Sequence, residues 1–149
     1  MSIPYTHPFY AEEQADKVLE DWDDICNELG IVHCLVFGNC LGMVREGGYI
    51  ETHSDMDVYV RDEDPSQLSK KLIENGFVPG QNYTESPYLG AGQHFYRDEI
   101  LLDISFELPD DEEFLEAFDE VTYKERKYSV PHPIEEYLEH KYGNWRMPQ

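Results

Sequence analysis

Hydrophobic residues recur every three or four positions over residues 12–29, with acidic residues between them, and this spacing predicts an amphipathic helix. Gly30 follows the last apolar position, where glycine adopts a left-handed helix cap most easily. The next run, residues 31–37, is short, almost continuously apolar and rich in β-branched side chains. It predicts a buried strand. The apolar positions of the helix are Ala15, Val18, Leu19, Trp22, Ile25, Cys26 and Leu29.

The middle of the chain alternates short elements with turns. Gly38 and Asn39 break the first strand, and residues 40–45 are predicted as a short helix. A second strand is predicted over residues 56–60, and a further helix follows Pro65, because proline suits the first helical position. Residues 77–92 are rich in glycine and proline, which predicts a loop with one short strand at most.

The last third of the chain predicts a hairpin followed by further short elements. Two apolar segments, 93–97 and 100–107, are separated only by Asp98 and Glu99, which is the spacing of a hairpin. No linker, repeat or low-complexity tract divides the chain. We therefore expect one α+β domain over residues 1–149, with a small mixed β-sheet flanked by helices. The remaining predicted elements are an acidic helix over 110–118, a strand or extended segment over 121–130, and a helix over Ile134–Tyr142 that Gly143 ends.

Acidic residues strongly outnumber basic ones. The 149 residues include 32 Asp and Glu against 11 Lys and Arg, which gives a net charge of −21 with histidine neutral. A surface of this sign repels phosphate backbones and anionic lipid, so neither nucleic acid nor an anionic membrane is an expected partner. A bound divalent cation reverses the local field, so the charge remains compatible with a phosphorylated small substrate.

The cysteines and the lengths of the apolar runs indicate the cellular compartment in which the protein is expected. Cys26, Cys34 and Cys40 lack CxxC spacing, which argues against a disulfide framework or a finger-type zinc site and fits a reducing compartment. Cys34 lies in the first predicted strand and is expected to be a small core residue. No stretch approaches the ~20 apolar residues of a membrane span, and residues 1–5 show neither the basic region nor the apolar run of a secretory signal. We expect a cytoplasmic protein with no membrane span.

Two aspartates lie two residues apart in the second predicted strand. Asp55 and Asp57 would project from the same face of that strand, because side chains alternate between faces, while Met56 and Val58 would point into the core. Adjacent carboxylates repel each other unless a cation lies between them or one is protonated. Carboxylates are also the ligands that Mg²⁺ prefers, usually one or two per ion, with substrate phosphates completing the octahedron. The pair is therefore a candidate site for Mg²⁺ or Mn²⁺.

A third aspartate lies within a later apolar strand. Asp103 is the only acid in the run of residues 101–106, and burial of a carboxylate there is costly unless it is paired, hydrogen-bonded or bound to metal. If its strand neighbours that of Asp57, Asp103 is the natural third metal ligand and a candidate catalytic residue. The alternative is an edge strand whose aspartate faces solvent.

The turn at Gly38 and Asn39 adds a candidate phosphate site. Glycine permits a close approach of the backbone to a ligand, and amides at a helix N-terminus attract phosphate. The alternative for these two residues alone is a tight turn. Together with Asp55, Asp57 and Asp103, the turn describes a phosphate-bearing nucleotide held over two metal ions.

Two blocks of the chain closely resemble a known family. Residues 37–50 read F-G-N-C-L-G-M-V-R-E-G-G-Y-I, and residues 55–58 read D-M-D-V. They resemble the signature of the LicD/fukutin-related family, which reads roughly G-T-L-L-G-A-V-R-H-G-G-F-I-P-W-D-D-D-I-D-V. Residues 136–148, E-Y-L-E-H-K-Y-G-N-W-R-M-P, look like the closing element of that family. Thr52, His53 and Ser54 replace the tryptophan and acids that precede the aspartate pair in the family.

The resemblance implies a nucleotidyltransferase fold of the polymerase-β type and an activity. In LicD-like proteins, phosphocholine or a related phospho-group passes from a CDP-linked donor to a hydroxyl of a glycan or another acceptor. By match to the signature, Asp55 and Asp57 are the metal-binding pair, and Asp103 corresponds to the later strand acid of the wider fold. Gly38 and Asn39 match the turn that cradles the phosphate.

Arg45 matches the arginine of the V-R-x-G-G segment. In the pocket it would neutralise charge that develops on the phosphate, and its alternative is a salt bridge that fixes a loop. For His33, His53 and His94 the sequence favours a structural role over catalysis or zinc binding, since no second His or Cys has ligand spacing to His33.

Three functions fit these observations. The first is the LicD-like phosphotransferase. The second is a nucleotidyltransferase that moves a nucleoside monophosphate from a nucleoside triphosphate to a small molecule or a protein. The third is a noncatalytic nucleotide-binding module, for which at least one of Asp55, Asp57 and Asp103 would be misplaced.

Overall fold

A five-stranded mixed sheet forms the centre of the fold in the computed structural model, which describes residues 8–50, 55–62, 64–80 and 92–147, with side chains from residue 12 onward. The strand order is β1-β2-β5-β4-β3. Strands β2 and β5 are parallel, and the other neighbouring pairs are antiparallel. This is the mixed sheet that the sequence predicts. The strands are β1 (Val32–Leu35), β2 (Asp55–Arg61), β3 (Val78–Pro79), β4 (Gly92–Arg97) and β5 (Ile100–Ser105).

Two helices pack on one face of this sheet. Helix α1 (Pro8–Leu29) contains the predicted segment, begins before it, and ends before Gly30, whose φ of 70° is the left-handed cap expected of glycine. Its apolar stripe, centred on the fully buried Trp22, packs against the inward side chains of the central strands. Helix α3 (Ser66–Glu74) contacts α1 and adds Leu68 and Leu72 to the same core.

The two faces of the sheet differ in polarity. On β2 and β5, Met56, Val58, Leu102 and Ile104 are buried against α1 and α3. The alternate residues point to the opposite face, as the two-residue period of a strand requires. At one end of that face a second, smaller core covers the strands, and it contains Cys34, Val36, Tyr59 and Leu115. The polar positions of β2, β5 and β4 lie on this second face.

Two hairpins have the same turn geometry without glycine. The predicted hairpin of β4 and β5 is confirmed, and both of its turn residues, Asp98 and Glu99, have positive φ, as a type I′ turn requires. The segment 121–130, predicted as one strand or extended chain, is instead part of a second hairpin of β6 (Phe118–Tyr123) and β7 (Arg126–Pro131). Its turn residues are Lys124 and Glu125, also with positive φ.

The segments that follow β1 and β5 also differ from their predictions. The helix α2 (Phe37–Leu41) begins at Phe37 rather than at residue 40, and it continues into one π-helical turn, Gly42–Glu46. The acidic helix predicted over 110–118 is a 3₁₀ helix over Pro109–Phe114, because the chain turns into β6 directly after it. The final helix, α4 (Ile134–Tyr142), matches its prediction and ends at Gly143.

Gly42 lies where the chain has no room for a side chain. A Cβ atom there would stand 2.5 Å from the carbonyl oxygen of Gly48. The Gly48 amide donates a hydrogen bond of 3.3 Å to the Gly42 carbonyl oxygen, so the π-helical turn folds back on itself at this point. This contact explains the glycine at position 42, and the φ of 74° at Gly47 explains the glycine there.

All three cysteines are free and buried, Cys34 among them as predicted. Burial raises the pKa of each thiol above its ordinary value. Among the residues that the structure describes, no helix is long and apolar enough to cross a membrane.

Candidate functional site

Two of the predicted site aspartates are direct neighbours across the parallel strands. Asp57 on β2 pairs in register with Asp103 on β5. Adjacent strands lie about 4.8 Å apart, and paired residues project from the same face. Asp57 is half-buried, and the side chain of Asp103 is 38% exposed. The prediction that the strand of Asp103 neighbours that of Asp57 is confirmed.

Asp55 lies on the same face, two residues before Asp57, at the exposed first position of β2. Its register partner is Leu101 rather than a polar residue. The three aspartates therefore share one face of two adjacent strands, with Asp57 nearest the middle. Their roles as metal ligands and catalytic residues stay a prediction.

His94 extends this row by one strand. It pairs in register with Asp103 on β4, and its Nε2 atom lies 3.4 Å from Oδ1 of Asp103. This contact is compatible with the structural role expected of His94, although the sequence did not predict that His94 lies beside Asp103. The register of the predicted hairpin contains the signal: with Asp98 and Glu99 as the two turn residues, His94 falls opposite Asp103.

Gly38 and Asn39 lie in the first turn of α2, and both are buried. The amide of Val36, just before this turn, donates a 3.1 Å hydrogen bond to the carbonyl oxygen of Asp57. The backbone therefore links the turn directly to the aspartate strand. The Nδ2 atom of Asn39, which is only 2% exposed, has no hydrogen-bond partner within the described part of the chain. A buried amide without a partner is costly, and such groups concentrate at functional sites.

Phe37 opens α2 in an unusual conformation. Its φ is 51°, in the left-handed region that non-glycine residues adopt at a cost. Its amide donates a 3.1 Å hydrogen bond to the hydroxyl of Tyr137 on α4, and the ammonium of Lys141 lies 4.9 Å from the centre of its ring. Tyr137 and Lys141 were not predicted, because their contacts join positions about a hundred residues apart.

The guanidinium of Arg45 is held by two neighbours. Its Nε atom donates to Glu46 at 2.9 Å, and Nη1 donates to the carbonyl oxygen of Trp145 at 3.2 Å. These contacts fix the π-helical turn to the chain after α4, which is the loop-fixing role considered for this residue. A role in binding phosphate stays a prediction.

Tyr142, the last residue of α4, lies within the electrostatic influence of Asp57. Partial burial, together with the negative charge of Asp57, raises its pKa to about 12. Its ring is 40% exposed. The C-terminal helix therefore brings an accessible aromatic residue to the same side of the molecule as Asp57.

The donor set fits a hard divalent cation when a substrate supplies the remaining ligands. Across the described ranges, no three His, Cys, Asp or Glu side chains form a group that could hold a metal ion by themselves. Mg²⁺ is commonly bound through one or two carboxylates plus substrate phosphates and water. The in-register carboxylates of Asp57 and Asp103 are two ligands of that kind, and their binding of a metal stays a prediction. His53 and Ser54, which replace acids of the LicD signature, lie outside the described residues.

Comparison with known proteins identifies the fold. No protein-family model matches the sequence, and no curated protein matches it. Among solved structures, the antibiotic-resistance factor ANT(2'')-Ia is similar with a TM-score of 0.65 at 13% identity, over 93% of this chain and 78% of that chain. The lincosamide antibiotic adenylyltransferase LnuA, solved with lincomycin bound, is similar with a TM-score of 0.59 at 16% identity, over 87% of this chain and 85% of that chain.

At sequence identities of 13% and 16%, these structural similarities show the fold alone. Membership of the LicD family stays a prediction, since both of these solved structures are antibiotic-directed proteins. The chain has the α+β fold of the polymerase-β-type nucleotidyltransferases, as its resemblance in sequence predicted.

Proposed function

We propose that this protein is a metal-dependent nucleotidyltransferase that moves a nucleoside monophosphate from a nucleoside triphosphate to a hydroxyl of a small molecule. The observation that supports this most is the in-register pair of Asp57 and Asp103 on adjacent parallel strands. The pair lies in a fold shared with an adenylyltransferase. In the proposed reaction the acceptor oxygen bonds to the α-phosphorus and gives up its proton to solvent, while the bond from the α-phosphorus to the bridging oxygen breaks and pyrophosphate leaves.

Asp57 and Asp103 would hold Mg²⁺ or Mn²⁺, with Asp55 as the third acid of the site. When bound, the cation supplies Lewis-acid stabilisation of charge on the phosphate oxygens. Electrostatic repulsion gives a second reason why triphosphate binding here would need a cation. A protein with a net charge of −21 repels a triphosphate, and a divalent ion between carboxylates and phosphates reverses that repulsion locally.

Gly38 and Asn39 are proposed to bind the phosphates. The backbone hydrogen bond from Val36 to Asp57 places this turn beside the aspartate strand. The buried Nδ2 of Asn39 is a donor without a partner among the described residues, which marks this turn as unusual. The proposed acceptor is a hydroxyl compound, and lincomycin, which is bound in the LnuA structure, serves as one probe of it.

The test is a pyrophosphate-release assay on the full chain with Mg²⁺, each of the four nucleoside triphosphates, and hydroxyl acceptors that include lincomycin. We expect release that depends on both metal and acceptor. Asp57→Asn and Asp103→Asn should each lose at least about 100-fold in rate, because each removes a ligand charge from the metal. Asp110→Asn, which removes an equal charge from an exposed position on the 3₁₀ helix, is the matched control and should keep full activity.

The same assay separates the LicD-like alternative. If CDP-choline is consumed with release of CMP while no triphosphate gives pyrophosphate, the protein is a phosphotransferase of the LicD type and the proposal is wrong. If calorimetry shows nucleotide binding but neither donor is turned over, the noncatalytic module is the better description.

A further inference from the structure

The C-terminal helix α4 contacts Phe37, which directly precedes the proposed phosphate-binding residues Gly38 and Asn39. The chain after α4 contacts the π-helical turn that follows them. The hydroxyl of Tyr137 accepts the hydrogen bond from the Phe37 amide, and Lys141 lies over the Phe37 ring. Beyond the helix, the carbonyl oxygen of Trp145 accepts a hydrogen bond from Arg45 in the π-helical turn. These contacts join residues 100 or more positions apart, so the turn depends on a distant part of the chain.

The contact at Phe37 has a specific energetic role. A left-handed φ costs an ordinary side chain about 1–2 kcal/mol, so this conformation persists only if neighbouring groups hold it. The first amides of a helix also have no partner within the helix, and a buried one needs a partner from elsewhere. The Tyr137 hydroxyl meets both needs at once, because it binds the amide of the residue whose backbone is strained.

We propose that Tyr137 is a positioning residue for the nucleotide site: its hydroxyl holds the Phe37 amide, and thereby fixes Gly38 and Asn39 where the phosphates bind. This inference rests on the proposed function. Tyr137 does not contact the nucleotide in this arrangement. It acts through the backbone of Phe37.

Tyr137 is well placed to be rigid. It is fully buried, and its ring packs edge-on against Phe114 with the ring centres 5.7 Å apart. The adjacent turn of α4 is anchored by Lys141, whose ammonium lies 3.0 Å from Oδ2 of the buried Asp111. A hydroxyl on such a support holds its partner with little motion of its own, which is what a positioning group requires.

The test compares two variants that each remove one hydroxyl from a buried tyrosine. Tyr137→Phe removes the acceptor for the Phe37 amide. Tyr128→Phe is the matched control, since Tyr128 is 3% exposed on β7 and the Phe37 amide donates to Tyr137 rather than to Tyr128. The readouts are the dissociation constant for ATP with Mg²⁺ by calorimetry, the hydrogen-exchange rate of the Phe37 amide by NMR, and thermal unfolding.

For Tyr137→Phe we expect a dissociation constant about fivefold higher and Phe37 exchange at least about fivefold faster, as loss of one hydrogen bond predicts. Tyr128→Phe should change neither, even if its midpoint of unfolding falls as much. Equal ATP binding by wild type and Tyr137→Phe would overturn the inference while the proposed function stands. If the wild-type chain binds no nucleotide, the proposed function fails first, and the positioning role falls with it.

Discussion

The hydroxyl of Tyr49 donates a 2.6 Å hydrogen bond to Oδ1 of Asp16. The same oxygen accepts a 2.8 Å bond from Tyr123 on β6, and the ammonium of Lys124 lies 2.7 Å from Oδ2. The side chain of Asp16 on α1 therefore links the loop that contains Tyr49 to the β6–β7 hairpin. Burial, followed by the hydrogen bond to Asp16, raises the pKa of Tyr49 and of Tyr123, so both hydroxyls keep their protons and donate.

From this contact we predict that Asp16→Asn destabilises the fold by about 2–3 kcal/mol, because it removes the charge that pairs with Lys124 and leaves one amide group facing donors. Tyr49→Phe should cost about 1 kcal/mol. Urea unfolding followed by circular dichroism measures both. Lys17→Ala, an exposed position next to Asp16, is the control and should stay within about 0.5 kcal/mol. An Asp16→Asn variant as stable as this control would show that the contact contributes nothing.

Magnesium should stabilise the protein through the aspartate pair. At a tenfold excess over its dissociation constant, a ligand adds about 1.4 kcal/mol, which corresponds to a rise of roughly 4–5 °C in a chain of this size. We expect this rise for wild type in the presence of ATP and Mg²⁺, and its loss in Asp57→Asn and Asp103→Asn. Differential scanning fluorimetry, with ATP alone as the reference, separates the contribution of the metal. A rise that survives both substitutions would place the cation elsewhere.

Replacing either of two glycines by alanine should destabilise the fold, for opposite reasons. Gly42→Ala has an ordinary helical backbone but places a Cβ 2.5 Å from the Gly48 carbonyl oxygen, so the π-helical turn must open. Gly30→Ala has nothing within 4 Å of the new Cβ, and only its φ of 70° is unfavourable. We expect about 1 kcal/mol for Gly30→Ala and at least twice that for Gly42→Ala. Chemical unfolding of the two variants side by side measures the order, and the reverse order would contradict this account.

The start of α3 predicts a pH dependence. Oδ1 of Asp64 accepts hydrogen bonds from the hydroxyl and the amide of Ser66, and these bonds hold the pKa of Asp64 below its ordinary value. The folded state therefore favours the ionised carboxylate. Its contribution is present above about pH 4 and is lost as the pH falls through the lowered pKa.

Asp64→Ala should thus be less stable than wild type near neutral pH, and the two should converge in strong acid. Urea midpoints at a series of pH values measure this convergence. Asp62→Ala, in the same loop, is the comparison, because Asp62 accepts a bond from the amide of Asp64 and not from Ser66. A stability difference for Asp64→Ala that is constant with pH would contradict the assignment.

Much of the fold follows from local pattern, and the exceptions have physical causes. The three-and-four spacing before Gly30 predicted α1, and the two-residue gap at Asp98 and Glu99 predicted the first hairpin. The second hairpin was missed because its turn, Lys124 and Glu125, contains none of the residues that usually accept positive φ. In that case the pairing of the strands imposes the turn, against the preference of its residues.

The sequence predicted which residues belong to the candidate site, but it did not predict the neighbouring residues that position them. The strand position of Asp103 identified it as an unusual acid, yet only the sheet order places it beside Asp57 rather than at an edge. The start of α2 was predicted three residues late, since what holds Phe37 is a hydroxyl 100 residues further along the chain. Local sequence cannot encode such a contact.

The bond between Phe37 and Tyr137 also has a consequence for synthesis. A growing polypeptide exposes both strands of aspartates before the tyrosine has left the ribosome, so the Phe37 amide lacks its acceptor until α4 has been synthesised. The start of α2 should consequently settle into its left-handed conformation only after α4 has emerged and folded against it.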